Sequence, residues 1–374
     1  MQGVASMRVA VAMSGGVDSS VAAALLKGAG HEVIGITMEI WPPGRENGGC
    51  CGLAAVQDAR RVAFRLGIPH YVVNLREVFA RQVIDNFCAE YARGRTPNPC
   101  IRCNRYVKFD ALLERARALE AAFLATGHYA RIARDRATGR FLLKKGVDQG
   151  KDQSYFLYSL TQAQLSRILF PLGELTKERV RAVARDLGLP VAEKAESQEV
   201  CFIPDNDYHR FLRRHCPGDF REGPILDERG RVLGRHRGLA FYTVGQRRGL
   251  GIAAGEPLYV VALDPVRNAV VVGPERALYR EALVAGELNW IAFDALQAPL
   301  QVQARIRYRH REAPATVAPR DEGRVLVRFF TPQRAITPGQ AAVFYDGDLV
   351  VGGGTILFAL DGSGEKESIS TGAN

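Results

Sequence analysis

The sequence predicts an α/β protein, with a parallel sheet covered by helices first and β-rich structure after it. Three observations carry that prediction. Strand-like apolar runs alternate with helix-length segments through about the first two hundred residues. The first strand-like run, Arg8-Val9-Ala10-Val11-Ala12, passes through a Gly-Gly turn directly into an Ala- and Leu-rich helix. Beyond Phe202-Ile203-Pro204, short β-type runs follow one another with Gly-rich turns and no helix between them.

In chain order, Val21–Leu26 reads as a helix that Gly28 and Gly30 stop, and His31–Met38 as the next strand. A polar, Gly-rich connection over Trp41–Gly52 leads to a helix at Ala54–Leu66, closed by Gly67 and Pro69. A strand at His70–Asn74 precedes a helix from about Val78 to Arg93, and Gly94–Cys103 reads as a turn-rich loop. A helix over Tyr106–Leu119 and a strand at Phe123–Thr126 follow, ending at Gly127-His128. Lys151–Leu189 reads as helical, with Thr176 as an N-cap. Strands are expected at Pro224–Leu226, Arg231–Leu233, Gly238–Tyr242, Leu258–Ala262 and Ala269–Gly273. Later ones are expected at Val302–Tyr308, Ala315–Ala318, Val325–Phe330, Ala341–Tyr345 and Leu349–Gly352, as a small barrel or sandwich. The predicted domains are 1–204, 205–280 and 281–360, with 361–374 a polar, disordered tail.

Composition bounds the function. With 374 residues, 47% hydrophobic and 24% charged, the chain is an ordinary globular protein of two to three domains. No apolar run approaches about 18 residues, so no membrane span is expected, and the first residues lack the apolar core of a signal peptide. The net charge of +10 permits a polyanionic partner without requiring one. Seven cysteines, an odd number without a secretion signal, argue against a disulfide scaffold and for cytoplasmic thiols.

The stretch Ala12-Met13-Ser14-Gly15-Gly16-Val17-Asp18-Ser19-Ser20 is an anion site in sequence form. The glycines let the backbone approach a ligand, the first-turn N–H groups point outward, and the helix dipole favours negative charge. No Gly-Lys-Ser/Thr follows, so it is not a Walker loop. A second anchor is Gly94-Arg95-Thr96-Pro97-Asn98-Pro99-Cys100-Ile101-Arg102-Cys103-Asn104. Its C-x-x-C reads as a redox dithiol, a metal half-site or incidental thiols; the second C-x-x-C or close His pair that zinc wants is absent. Cys201 lies in Glu196-Ser197-Gln198-Glu199-Val200-Cys201-Phe202. Cys88 and Cys216 fall at helical positions and read as core filler, and Cys50-Cys51 sits in a Gly-rich loop.

The first stretch resembles the SGGxDS loop of the PP-loop ATP pyrophosphatases. Together with Gly94–Asn104, Ala125–Tyr129, Lys151–Leu157, Glu196–Phe202, Thr243–Gly251, Arg307–Arg309 and Thr337–Ala341, it is similar to the tRNA-specific 2-thiouridylase family. These motifs are collinear from about residue 8 to 358. The resemblance implies a tRNA-uridine 2-sulfurtransferase. ATP adenylates the C2 carbonyl oxygen of a wobble uridine, pyrophosphate departs into the loop, and sulfur replaces the activated oxygen. It assigns ATP to Ala12, Met13, Ser14, Gly15, Gly16, Val17, Asp18, Ser19, Met38 and Gly127, with Asp18 helping to place magnesium. It assigns the target base to Asn98, Pro99 and Cys100, and the tRNA to His128, Lys151, Asp152, Gln153, Arg307, Tyr308 and Gln340. Arg247-Arg248 is a further candidate phosphate contact.

For the sulfur step the resemblance implies a persulfide on Cys201, with Cys103 assisting as nucleophile and the two finishing as a disulfide. Better-studied members have Asp-x-x-Cys where this chain has Cys100-Ile101-Arg102-Cys103. Three thiols, Cys100, Cys103 and Cys201, therefore suit a [4Fe–4S] cluster as well as a persulfide relay. The family's tRNAs for Lys, Glu and Gln, and a sulfur-relay protein or cysteine desulfurase, are the implied partners. The run Arg305–Arg311 reads either as an amphipathic strand with a solvated basic face or as an RNA contact. Two other functions remain open: a PP-loop synthetase that adenylates a small molecule, and an RNA-binding protein without catalysis.

Overall fold

In the computed structural model, residues 6–41, 52–195, 200–203, 205, 207–216 and 220–361 are described. The chain forms β1 (Arg8–Ala12), α1 (Val17–Gly28), β2 (Glu32–Glu39), α2 (Leu53–Leu66) and β3 (His70–Asn74). Next come α3 (Arg76–Phe79), a π-helical stretch at Ala80–Ile84, α4 (Asp85–Ala92), α5 (Pro99–Arg102) and a second π-helical stretch at Cys103–Ala111. Then follow α6 (Leu112–Ala118), β4 (Phe123–Ala125), β5 (Ala130–Arg134), β6 (Phe141–Lys145), α7 (Gln162–Leu165), β7 (Ile168–Leu169), α8 (Lys177–Asp186) and α9 (Tyr208–His215). The remaining strands are β8 (Gly223–Asp227), β9 (Val232–His236), β10 (Tyr259–Asp264), β11 (Ala269–Gly273) and β12 (Tyr279–Trp290). The last are β13 (Leu300–Arg305), β14 (Ala313–Arg320), β15 (Arg324–Arg334), β16 (Ala341–Asp346) and β17 (Leu349–Leu360).

Two compact units result. The first takes the described residues of Met1–Ile84, Pro99–Asp207 and Asp348–Val350; the second takes those of Asp85–Asn98, Tyr208–Gly347 and Val351–Asn374. In the first unit a parallel sheet runs in the order β3-β2-β1-β4-β7. Val9, Ala10 and Val11 of β1 are fully buried, which is why that strand reads as an unbroken apolar run. From β1 the chain steps outward to β2 and β3, then crosses to β4 on the other side. The switch of direction therefore falls between β1 and β4, and loops at the carboxyl ends of these two strands face the crevice where such sheets bind ligands. An antiparallel hairpin, β5 with β6, completes this unit, and Arg131 Nη2 donates to Asp348 Oδ2 at 2.7 Å.

The second unit holds a four-stranded sheet ordered β10-β11-β8-β9 and a closed antiparallel barrel. The barrel runs β12-β15-β14-β13-β16-β17 and closes through β17 pairing with β12. Leu283, Val317, Val327, Phe344 and Ile356 fill its core.

Several expectations are corrected. Gly94–Cys103 is not all loop: helix begins at Pro99, because proline in the first helical turn gives up only an N–H that has no intrahelical partner. Cys100 and Cys103 thus lie three apart on helical backbone and share a face. Gly238–Tyr242 is not a strand but a 3₁₀ turn at Leu239–Phe241, entered through Gly238 at φ +128. β13 stops at Arg305, so Arg307 and Tyr308 lie in the turn beyond it. The supposedly helical Lys151–Leu189 contains the short strand β7. The tail from 362, Cys50, Cys51 and Glu196–Glu199 lie outside the described residues.

Cys88 and Cys216 are not core filler. They form a disulfide, with Cα atoms 5.1 Å apart, that joins α4 to the residue after α9. Around it Phe87 packs on Tyr91, Tyr208 and Phe211. A crosslink across a sequence separation of 128 restricts the unfolded chain strongly. Cys216→Ser is expected to cost about 2–4 kcal/mol of stability. The check is a thermal melt with and without dithiothreitol: reductant lowers the midpoint of the wild type and leaves that of the variant unchanged.

Candidate active site

The loop between β1 and α1 is built by its own backbone. Gly15 sits at φ +67, and a Cβ there would lie 2.3 Å from the Ala55 carbonyl oxygen, so only glycine fits. Gly16 is the N-cap of α1 and contributes no side chain to cap it. A helix N-terminus without a side-chain cap, with its dipole, suits an anion. Ser19 Oγ accepts from Ser14 N at 3.2 Å and donates to Gly16 O at 3.2 Å, while Ser20 Oγ donates to Gly16 O at 2.8 Å. Ser19 and Ser20 therefore shape the loop from a buried position.

Gly127, just past β4, closes the other side of the crevice. A Cβ on it would fall 2.6 Å from Ser19 N and 2.7 Å from the Asp18 carbonyl carbon, so β4 and the first turn of α1 meet through this glycine. At the end of β2, Met38 is buried, and Thr37 Oγ1 donates to Met13 O at 2.8 Å. Its oxygen also lies 2.8 Å from His70 Nε2. Burial, with Arg60 nearby, pulls His70 below the usual imidazole range and favours its neutral form.

Two lysines absent from the expected set organise the loop. Lys177 Nζ donates to both carboxylate oxygens of Asp18, at 2.7 and 2.9 Å, and Tyr129 Oη donates to Asp18 Oδ1 at 2.8 Å. Lys194 Nζ donates to Gly15 O at 2.9 Å and to Asp58 Oδ2 at 2.6 Å. Asp18, expected to place magnesium, is thus already ion-paired, and a divalent ion on that carboxylate competes with Lys177. One signal for Lys177 was readable: a lysine directly after an N-cap opposes the helix dipole and needs a carboxylate partner.

The cysteines expected to handle sulfur lie beside a shared support. Cys100 is exposed, and Cys103 and Cys201 are half-buried. On one side of Cys103, Arg102 Nε donates to Gln82 O at 2.8 Å; on the other, buried Asn104 donates through Nδ2 to Phe156 O at 3.1 Å. Next to Cys201, Phe202 packs its ring on Phe79 and Trp41, with centroids 5.7 and 6.3 Å away. The helical stretch from Phe79 to Gln82 therefore supports both the chain before Cys103, through Arg102, and the chain after Cys201, through Phe202. Among the described residues, no three His, Cys, Asp or Glu side chains gather as a metal site. Cys100, Cys103 and Cys201 are all described, so this arrangement does not meet the [4Fe–4S] expectation.

Many side chains expected on tRNA also hold loops. Asp152 is buried and accepts from Gly146 N, Ser154 N and Ser154 Oγ at 3.1, 3.1 and 2.9 Å. Gln153 Oε1 accepts from Tyr129 N at 3.0 Å. His128 Nδ1 lies 2.7 Å from Thr126 Oγ1; burial first, then nearby Lys108, hold its ring neutral. In the second unit, Arg307 donates to Val244 O at 3.1 Å, to Ala335 O at 2.9 Å and to the Thr337 hydroxyl. Gln340 Nε2 donates to Thr96 O at 2.9 Å and Pro97 O at 3.4 Å, fixing the stretch before Asn98. Asn98, Lys151 and Tyr308 are half-buried, Pro99 is buried, and Arg247 and Arg248 are exposed.

The parallel sheet with its glycine loop at the β1–β4 switch defines the class: a PP-loop nucleotide-binding domain, followed by β domains. Residues 7–205 match the tRNA methyl transferase HUP domain, 209–274 the tRNA methyl transferase PRC-barrel domain, and 280–356 the aminomethyltransferase β-barrel domain. A tRNA-specific 2-thiouridylase MnmA of Pelotomaculum thermopropionicum is 58% identical over 354 residues, covering 93% of this chain and 97% of that one. One from Moorella thermoacetica is 59% identical over 350 residues, covering 92% and 98%. The chain belongs to the tRNA-specific 2-thiouridylase family. No helix among the described residues is long and apolar enough to cross a membrane.

Proposed function

We propose that the protein is an ATP-dependent tRNA-uridine 2-sulfurtransferase acting on the wobble uridine of the tRNAs for Lys, Glu and Gln in the cytoplasm. The observation that carries this reading is the support shared by the Cys103 and Cys201 segments, in the same unit as the glycine loop. The uridine O2 attacks the α-phosphorus of ATP, and pyrophosphate leaves against the N–H groups of the loop. Magnesium, held by the phosphates and by Asp18 beside Lys177, would supply charge neutralisation.

The terminal sulfur of a Cys201 persulfide then attacks C2, and AMP departs with the original oxygen. Cys103 thiolate attacks Cys201 Sγ. The S–S bond breaks, its electron pair stays on the sulfur at C2, and a Cys103–Cys201 disulfide remains for an external thiol to reduce. A sulfur-relay protein or a cysteine desulfurase reloads Cys201. Because uridine is buried in its stack, the base has to be extruded to reach C2. Lys151, Tyr308, Arg247 and Arg248 are the proposed backbone contacts, while Asp152, Arg307 and Gln340 keep the surrounding loops in shape.

The test is tRNA-dependent pyrophosphate release, followed by nucleoside mass spectrometry of the product. Release that needs tRNA and yields 2-thiouridine is expected. Release on a small molecule without tRNA supports a synthetase instead. Thiolation that requires bound iron supports the cluster and refutes the relay.

A further inference from the structure

We infer that Lys194 is a positioning residue for the phosphate cradle of the proposed adenylation step, on which this inference rests. Its amine grips the carbonyl oxygen of Gly15 at 2.9 Å and Asp58 Oδ2 at 2.6 Å. Among the described residues every peptide bond is trans, and a trans peptide carries its N–H opposite its carbonyl. Holding the Gly15 carbonyl on the lysine therefore turns the Gly16 N–H away from Lys194, to the opposite side of the peptide plane. The charge on Nζ also draws density from that peptide and strengthens its N–H as a donor to an anion.

Lys194 is itself fixed. Arg181 donates to the Ala192 and Lys194 carbonyls at 3.0 and 3.3 Å, so the backbone from which the amine reaches is tied to α8. Asp58 lies on the buried face of α2, with Arg61 on its other oxygen. Burial works to raise this carboxyl, but its hydrogen bonds and ion pairs to Lys194 and Arg61 outweigh burial and keep it below the usual carboxylate range. The acid therefore stays charged and orients the amine. Gly15 needs such a restraint because glycine at φ +67 has other accessible conformations, and a flipped Gly15–Gly16 peptide presents an oxygen to the phosphates where a donor is wanted.

The experiment compares Lys194→Met and Lys194→Arg with the wild type. ATP affinity is measured by calorimetry without tRNA, and kcat and KM for ATP are measured in tRNA-dependent pyrophosphate release. Lys194→Met is expected to raise both Kd and KM for ATP by about tenfold or more while kcat falls less than about threefold. Lys194→Arg, which keeps the charge and two donors, is expected to recover most of the loss. Should Lys194→Met fail to fold, Lys194→Gln, a donor without the charge, takes its place under the same limits. Kd and KM within about twofold of wild type overturn the inference, as does an arginine variant no better than the methionine one. Because affinity is read without tRNA, a wild type that binds ATP yet releases no pyrophosphate with tRNA refutes the proposed function alone. Unchanged affinity with intact release refutes the role of Lys194 alone.

Discussion

Cys201→Ser is expected to abolish 2-thiouridine formation while tRNA-dependent pyrophosphate release stays within about threefold of wild type. The two halves of the reaction use different atoms. The proposed adenylation uses the cradle of Ser14 to Ser19, which is shaped by hydrogen bonds among Ser14, Gly16, Ser19 and Ser20. Phe202, packed on Phe79 and Trp41, holds the backbone beside Cys201, so serine changes one atom without moving the segment. An oxygen cannot carry the sulfane sulfur, and the loss is therefore complete rather than partial. Cys103→Ser stops one step later. The persulfide still attacks C2, but the thiolate proposed to cleave the S–S bond is gone. The tRNA is then joined to Cys201 through two sulfurs, as a complex that dithiothreitol releases. Mass spectrometry of the nucleosides, with a denaturing gel run with and without reductant, separates the outcomes. Cys201→Ser that still thiolates, or Cys103→Ser that releases thiolated tRNA in a single turnover without added thiol as the wild type does, removes these residues from their roles.

How far the sequence reached depends on the range of each interaction. β1, α1, β2 and β3 were legible because each is written in adjacent residues: apolar runs for buried strands, glycines where the helix stops. The helix start at Pro99 was not legible because Pro97, Asn98 and Pro99 are all turn formers, and whether a proline starts a helix is decided by the residues after it. The hairpin of β5 and β6 was hidden because its two strands are five residues each and only partly buried, with no clean alternation. The Cys88–Cys216 bond spans 128 residues, and nothing near either cysteine names the other. The glycine loop itself was readable, whereas the partners of its two lysines were not: Lys177 lies 159 positions from Asp18 and Lys194 lies 179 from Gly15. A local motif records the backbone that meets the ligand. The cations that hold this backbone are supplied by the tertiary fold, and only the parallel sheet brings them there.

The same distinction gives the largest expected effect on the first half-reaction, that of Gly15→Ala. Two costs fall on this one methyl group. At φ +67 an L-residue loses about 1–2 kcal/mol against the left-handed region. The new Cβ also lies 2.3 Å from Ala55 O and 2.9 Å from its Cα, and these backbone atoms of α2 cannot rotate away as a side chain can. Either the loop flips and loses its grip on Lys194, or the start of α2 moves. Both remove the donors that pyrophosphate needs, so ATP binding is expected to weaken by about a hundredfold or more and pyrophosphate release to vanish. Gly127→Ala, whose Cβ would press on Ser19 N at 2.6 Å, is expected to act in the same direction by displacing the first turn of α1. Gly28→Ala is the control. It lies in the last turn of the same helix, with nothing within 4 Å of its Cβ, and should leave ATP binding unchanged while adding about 0.5–1 kcal/mol of stability. Calorimetric titration of ATP into the three variants, beside their thermal melts, decides the matter. Wild-type affinity in Gly15→Ala would mean that the loop adopts another conformation when it binds phosphate, because its present conformation has no room for the methyl group.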